Sequence, residues 1–369
     1  MPQLDELDTP CLVLDRGRVA VNAARLRDHL AGLGVPLRLH VKTAKCAEVA
    51  ALVLQGERAP ITVSTLKEAE QFFDAGYRDI LYAVGFERHK LARAQALAGR
   101  GAKLTLLVDS VEGAKGITGF PVLIEIDTDG HRAGVKPDDT ARLAAIARAL
   151  EASGCSAAGV LTHAGGSYHS ANVAEIAAIA GQERDGAVMA AAALRRTGFA
   201  APVVSIGSTP TATFASGMEG VTEVRAGVFV FFDLVMAGIE VCRQEDIALS
   251  VLATVIGRRA DKGWILVDAG WMALSRDRGT ARQRVDQGYG VVCDLDGIPI
   301  AGLIVTEANQ EHGIVARRGG GAPPELALGT RLRILPNHAC ATGAQHERYH
   351  VVDGGRAVAA VWQRFGGWT

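Results

Sequence analysis

The sequence predicts a (β/α)8 barrel of the TIM type joined to a separate all-β domain, and three observations carry that reading. Short apolar runs of β type alternate with Ala-, Leu- and Arg-rich stretches of helical period through the first part of the chain. Those runs are near-continuously apolar, as in strands buried on both faces. From about Gly238 the texture changes to short alternating runs between glycine-rich turns, with hardly any helical period.

The run TPCLVLD (9–15) precedes the first helix and belongs to no β/α pair, which assigns it to the β-domain. Eight barrel strands follow: LRLHVK (37–42), ITVST (61–65), DILYAV (79–84), KLTLLVD (103–109), PVLIEID (121–127), AGVLTH (158–163), VVSIGS (203–208) and EVRAGVFVF (223–231). Helical candidates between them are 17–33, 44–54, 66–75, 137–152 and 173–196, with a short link at 111–116. Eight such units in roughly 220 residues match the size of a (β/α)8 barrel. Beyond them come SVLATVIGRR, WILVDAG, YGVVCDL, IPIAGLIV, LRILPNH, YHVVDG and AVAAVW. The expected domains are therefore 16–238 for the barrel and 1–15 plus 239–369 for the β-domain.

Composition narrows the function classes. The 369 residues include 39 basic and 40 acidic side chains, and no Lys/Arg run is long enough to track a phosphate backbone, which argues against nucleic acid. The most apolar stretch, 227–241, is interrupted by Asp233 and too short for a bilayer, so no membrane is expected. MPQLDELDTP is acidic and lacks the apolar core of a leader, and the six cysteines show no CxxC spacing. A soluble cytoplasmic protein is the expectation.

Reactive groups of a (β/α)8 barrel sit at the carboxyl ends of its strands. Four such ends are polar here: His40 and Lys42, which an extended strand would put on one face; Asp127 leading to His131-Arg132; Thr162-His163; and Gly207-Ser208-Thr209. Each alone reads equally as a salt-bridged or capping residue, whereas convergence on one barrel mouth favours a site. Lys42 is the sharpest signal. An amine in an apolar strand end loses hydration, its pKa falls, and the neutral form can condense with an aldehyde. GSTPT (207–211) offers backbone N–H groups and hydroxyls to a phosphate, or is an ordinary helix cap. A strand-one lysine with a late phosphate site is what pyridoxal 5'-phosphate requires. In PNHAC, His338 and Cys340 lie two apart and would share a side in extended chain, so imidazole and thiolate suit Zn²⁺; the alternative is a polar histidine beside a buried cysteine. Gln310-Glu311-His312 either joins that pair or forms a solvated loop.

These motifs resemble the fold-type III pyridoxal-phosphate enzymes, within them the D-serine dehydratase and D-threonine aldolase group related to alanine racemase. The resemblance spans nearly the whole chain, through TPCLVLD, HVKTAK (40–45), TVSTLKEAE (62–70), DILYAVG (79–85), HRAGV (131–135), LTHAGGSY (161–168), GSTPT, PNHAC (336–340) and VVDGGRAVAAVW (351–362). It implies that Lys42 carries the cofactor, Arg132 lies near its phenolic oxygen, His163 packs against its ring, and Ser208 and Thr209 hold its phosphate. Tyr168 matches a tyrosine near the pyridine nitrogen. Gly166 departs from the group, which often has histidine there. The His-x-Cys pair resembles the dehydratases, while the aldolases tend to put a carboxylate in the cysteine position. A homodimer is implied as well, with the β-domain of one subunit over the barrel mouth of the other.

The expected activity is a lyase on D-3-hydroxy amino acids, D-serine or D-3-hydroxyaspartate, giving a 2-oxo acid and ammonia. Lys42 would remove the α-proton, and Zn²⁺, or Mn²⁺ or Mg²⁺, on His338 and Cys340 would act on the β-oxygen as a Lewis acid. The same parts permit aldol cleavage to glycine and an aldehyde. A racemase needs a second acid/base and gains nothing from a metal; a non-catalytic cofactor carrier needs no metal pair.

Overall fold

A computed structural model describes residues 2–368. The chain divides into two compact units, residues 2–23 with Val228–Gly366, and Ala24–Gly227 with residues 367–368.

The second unit is a closed parallel barrel of eight strands: β2 (Leu37–His40), β3 (Ile61–Val63), β4 (Asp79–Tyr82), β5 (Lys103–Val108), β6 (Pro121–Ile126), β7 (Ser156–Thr162), β8 (Val203–Ile206) and β9 (Glu223–Ala226), β1 lying in the other unit. All eight expected strands form, and β9 closes on β2 with Arg38 opposite Arg225. Leu81, Leu107, Leu123 and Leu161 make one buried layer from β4 to β7. Each such leucine stabilises the barrel by roughly 1.5–3 kcal/mol. Gly159 permits the β7–β8 contact: at φ +145 its added Cβ would stand 2.0 Å from the Val203 carbonyl oxygen. Helices alternate with the strands, the longest being Val173–Arg196, begun by the Asn172 side chain accepting from the Glu175 amide at 3.0 Å.

Two strand ends differ from expectation. The first strand stops at His40, and residues 41–44 form a turn, so pleat alternation does not place His40 and Lys42 on one face. The last strand stops at Ala226, and Val228–Val230 is a 3-10 turn. An added Cβ on Gly227 would lie 2.9 Å from the His40 carbonyl oxygen. The buried run VFVF after it is apolar without being a strand, which periodicity cannot distinguish.

The other unit is a nine-stranded sheet ordered β11-β14-β13-β12-β15-β10-β1-β16-β17. Its strands are β1 (Cys11–Asp15), β10 (Leu249–Arg259), β11 (Trp264–Val267), β12 (Gly290–Cys293), β13 (Pro299–Ala308), β14 (Gly313–Arg317), β15 (Arg331–Pro336), β16 (Arg348–Val352) and β17 (Ala360–Gln363). The N-terminal strand runs antiparallel to β10 and parallel to β16. Cys11 and Val13 pack with Leu4, Leu252, Val352 and Val358. Sequence reading passed over β14, a five-residue run held by two antiparallel neighbours. Among the described residues no helix is long and apolar enough to cross a membrane.

Candidate active site

HVKTAK contains two lysines, and geometry separates them. Lys45 takes the left-handed conformation at φ +46, its amide donating to the Val41 carbonyl at 2.8 Å. Its Nζ lies 3.0 Å from buried Glu68 and 5.0 Å from the Trp368 ring centre. Lys45 is thus committed to structure, whereas Lys42 is exposed in the turn after β2. The expected burial of that amine does not occur, because the strand ends two residues earlier.

His40, His163 and Arg225 gather at this end of the barrel. Burial pushes His40 well below its usual range, and Lys42, Arg225 and His163 act in the same direction. Burial also takes His163 down to about 3; Lys42 and Arg225 add to this and the Gly207 carbonyl opposes it. His163 Nδ1 lies 2.9 Å from that carbonyl, so Nδ1 carries the proton and Nε2 keeps a lone pair. Arg225 is 4% exposed; it donates to the Thr162 carbonyl at 2.6 Å and Ser205 Oγ at 2.8 Å, and burial brings it down to about 10.

A neutral folded-state histidine has a signature in acid. The unfolded chain protonates near pH 6.5 and folded His163 only near pH 3, so stability from this group is full above about 6.5 and falls as pH drops toward 3. Wild type should therefore lose thermal stability below pH 6.5 more steeply than His163→Gln; parallel melting curves would contradict a neutral buried ring.

At the end of β8, Gly207 has φ +133, and its added Cβ would be 2.2 Å from the Arg225 carbonyl oxygen, so only glycine lets this turn lie against β9. Ser208 caps the helix Thr209–Phe214 and bonds Ser167 and Thr211 side chains, both at 2.9 Å. The Gly207 and Ser208 amides donate inward, to Glu183 Oε1 at 3.0 Å and Thr211 Oγ1 at 3.1 Å. Ser208 and Thr209 are almost wholly buried.

The remaining expected residues are more open. Arg132 is exposed and lies 3.6 Å from Glu125, whose carboxyl is pushed up by burial against the pull of Arg132. Tyr168 is half-buried with its ring 6.1 Å from His163. Asp127 accepts from the Gly130 amide and Lys136 Nζ, both at 2.6 Å, and anchors its loop. Around Gly166 the space is shared by neighbours. Its amide donates to Asp129 Oδ2 at 2.8 Å, and a Cβ there would be 3.2 Å from that oxygen, while the His131 ring rests against Gly165.

An aldehyde phosphate fits these residues. An exposed amine stands near two largely buried imidazoles, and His40 Nδ1 and Thr62 Oγ1 are buried without a partner among the described residues. Leaving a buried polar atom unpaired costs about 1–3 kcal/mol, which a polar ligand offsets.

In the other unit, the chain through His338 and Cys340 does not stay extended. His338 is the N-cap and Cys340 lies in the first turn of the helix Ala339–Gly343. Their juxtaposition comes from that turn rather than a strand pleat. His338 Nδ1 lies 2.6 Å from Asp277 Oδ2, so Nε2 is the nitrogen that could hold a metal. Burial opposes charge on this ring, but Cys340 and Asp277 outweigh it and take His338 up to about 11; its hydrogen bond in turn holds Asp277 below the carboxylate range. Buried Asp233 caps the helix Leu234–Gly238 and accepts from the Ala339 amide at 3.0 Å, tying down the motif. This donor chemistry fits a divalent ion. Among the described residues no three His, Cys, Asp or Glu side chains form a metal cluster, so the protein would supply a two-ligand, open site. Gln310, Glu311 and His312 form an exposed turn between β13 and β14.

Four of these residues escaped sequence reading: Glu183, Arg225, Asp233 and Asp277. Glu183 left a signal, since Ile176, Ala180, Glu183 and Ala187 form one buried helical stripe with a carboxylate in an apolar place. Arg225 left a weaker one, a charge inside an apolar strand.

Comparison with known proteins supplies the family. Residues 14–235 match the family model "Alanine racemase, N-terminal domain", and residues 248–352 match a serine dehydratase domain. The chain is 56% identical to D-threo-3-hydroxyaspartate dehydratase of Delftia sp. (strain HT23), over 98% of both chains. It is 30% identical to D-threonine aldolase of Arthrobacter sp, over 98% of this chain and 93% of that one. Solved structures of D-threo-3-hydroxyaspartate dehydratase superpose with a TM-score of 0.97 at 55% identity, covering all of this chain. One is a histidine-to-alanine variant, covered over 97% of its chain; the other, covered completely, is a cysteine-to-alanine variant in the metal-free form, with the two replaced positions two residues apart. The chain belongs to the alanine racemase-like, fold-type III family of D-serine dehydratases and D-threonine aldolases, and it is a lyase.

Proposed function

We propose that this protein is a pyridoxal phosphate- and metal-dependent dehydratase that takes D-threo-3-hydroxyaspartate or D-serine to a 2-oxo acid and ammonia. The observation carrying this reading is the His338–Cys340 pair backed by Asp277, in a chain 56% identical to a dehydratase. A histidine and a cysteine at the same spacing are the residues replaced in that relative's variants, one of them described as metal-free.

Pyridoxal phosphate, when bound, supplies an electron sink for charge left at Cα, and the divalent ion, Zn²⁺ before Mn²⁺ or Mg²⁺ given the thiolate, supplies a Lewis acid toward a hydroxyl oxygen. Lys42 Nζ holds the cofactor and then moves the substrate's α-proton. Ser208 and Thr209 bind the phosphate, and the absent side chain of Gly207 lets their turn close on β9. His163, kept neutral, packs on the ring without adding a charge. Arg132 orients the phenolic oxygen and Tyr168 the pyridine nitrogen. His338 and Cys340 hold the ion. The balance is simple: α-proton and β-hydroxyl leave as water, and water then hydrolyses the enamine product to the 2-oxo acid and ammonia.

Aldol cleavage is the second reading, favoured by the 30% identity to D-threonine aldolase. Product analysis separates the two. With D-threo-3-hydroxyaspartate, D-serine and D-threonine the expected products are 2-oxo acids and ammonia; glycine and aldehydes in their place would move the assignment to aldolase. We also read the protein as a cytoplasmic homodimer, supported by six free cysteines and the family resemblance, and sedimentation would measure the assembly.

Asp277 gives a separate handle on the metal. Removing the partner of a ligating imidazole typically costs about 10–100-fold in metal affinity. Asp277→Ala should show that loss in calorimetric Zn²⁺ titration of chelator-stripped protein, with unchanged cofactor absorbance; wild-type affinity would separate Asp277 from the ion.

A further inference from the structure

Glu183 lies on the helix Val173–Arg196, 1% exposed. One of its oxygens, Oε1, accepts the Ala164 amide at 2.9 Å and the Gly207 amide at 3.0 Å. The other, Oε2, accepts the Thr211 hydroxyl at 2.7 Å. Ala164 follows the end of β7 next to His163, and Gly207 follows the end of β8 next to Ser208. A single carboxylate therefore ties together two neighbouring strand ends, each bearing an expected cofactor residue.

The tie continues into the anion-binding turn. The Thr211 proton is committed to Glu183, so Thr211 Oγ1 accepts the Ser208 amide at 3.1 Å. Ser167 donates to the Ala164 carbonyl at 2.7 Å, so Ser167 Oγ and Thr211 Oγ1, both 2.9 Å from Ser208 Oγ, share as acceptors its single hydroxyl proton. Apart from the Ala212 amide, which donates to the Ser208 carbonyl at 2.9 Å, the bonds that hold Ser208 in place lead back to Glu183 or to Ala164 beside it. Burial pushes the Glu183 carboxyl up, and the donors from Thr211, Ala164 and Gly207 oppose that. Three donors converge on it.

We infer that Glu183 is a positioning residue that clamps the β7 and β8 ends from behind and so sets the geometry with which Ser208 and Thr209 receive the cofactor's phosphate. This rests on pyridoxal phosphate being the cofactor. Two features of the clamp make it testable. It acts on the phosphate end, and it acts through acceptor position. Glutamine keeps an Oε1 for both amides, whereas alanine leaves two buried N–H groups without a partner.

The experiment strips wild type, Glu183→Ala, Glu183→Gln and Thr211→Val of cofactor and titrates each with pyridoxal 5'-phosphate and with pyridoxal, read by absorbance. Glu183→Ala should bind pyridoxal phosphate roughly ten- to a hundredfold more weakly, with pyridoxal changed much less. Glu183→Gln should recover most of the loss, and Thr211→Val, which cuts only the hydroxyl link, should show a smaller phosphate-selective loss. Thr211→Val and Glu183→Gln carry the test if Glu183→Ala does not fold. Equal weakening of both ligands would mean a merely structural role, and unchanged binding, or a glutamine variant as weak as alanine, would equally overturn the clamp. Failure of wild type itself to take up pyridoxal phosphate would strike the cofactor assignment instead.

Discussion

Replacing Lys42 by alanine is expected to lower product formation by roughly 10⁴-fold or more, because in the proposed reaction one amine both holds the cofactor and moves the α-proton. Lys45, three residues on, cannot take its place: its Nζ is 3.0 Å from Glu68 and its backbone sits in a left-handed turn. Exposure of Lys42 lets an aldehyde reach it. Borohydride reduction of wild type followed by peptide mapping should put the pyridoxyl group on Lys42 alone. A label on Lys45, or none, would remove the foundation of the mechanism.

Removing the proposed metal is expected to have the second large effect. Hydroxide is a poor leaving group, and Lewis-acid assistance is worth several kcal/mol, so chelation should lower dehydration by about 10³-fold or more. The cofactor should stay bound, because His338 and Cys340 belong to the β-unit and Lys42 and Ser208 to the barrel unit. His338→Ala and Cys340→Ala should match the chelated enzyme, and Zn²⁺ should restore only wild type. Metal analysis beside the rate assay decides it: full turnover in protein shown to be metal-free would falsify the role given to the pair.

The barrel was legible because parallel strands are buried on both faces and so write themselves as continuous apolar runs. All eight strands and the helix Val173–Arg196 stand where those patterns put them. Element ends were less legible. An apolar run says nothing of where hydrogen bonding stops, so β2 ends at His40 instead of reaching Lys42, and β9 ends at Ala226 with an apolar 3-10 turn behind it. PNHAC looked extended because a five-residue helix is too short to show a period.

By itself the sequence determined the alternation of β and α segments and the presence of a second, β-rich unit after the barrel, because each is written in periodicity. Only the tertiary structure decided which of two lysines is left exposed, that Asp277 stands 61 residues before the histidine it orients, and that Glu183 reaches an amide 24 residues away. Those choices are made by packing between segments distant in sequence, and a local pattern holds no record of which carboxylate a fold will bring to which donor.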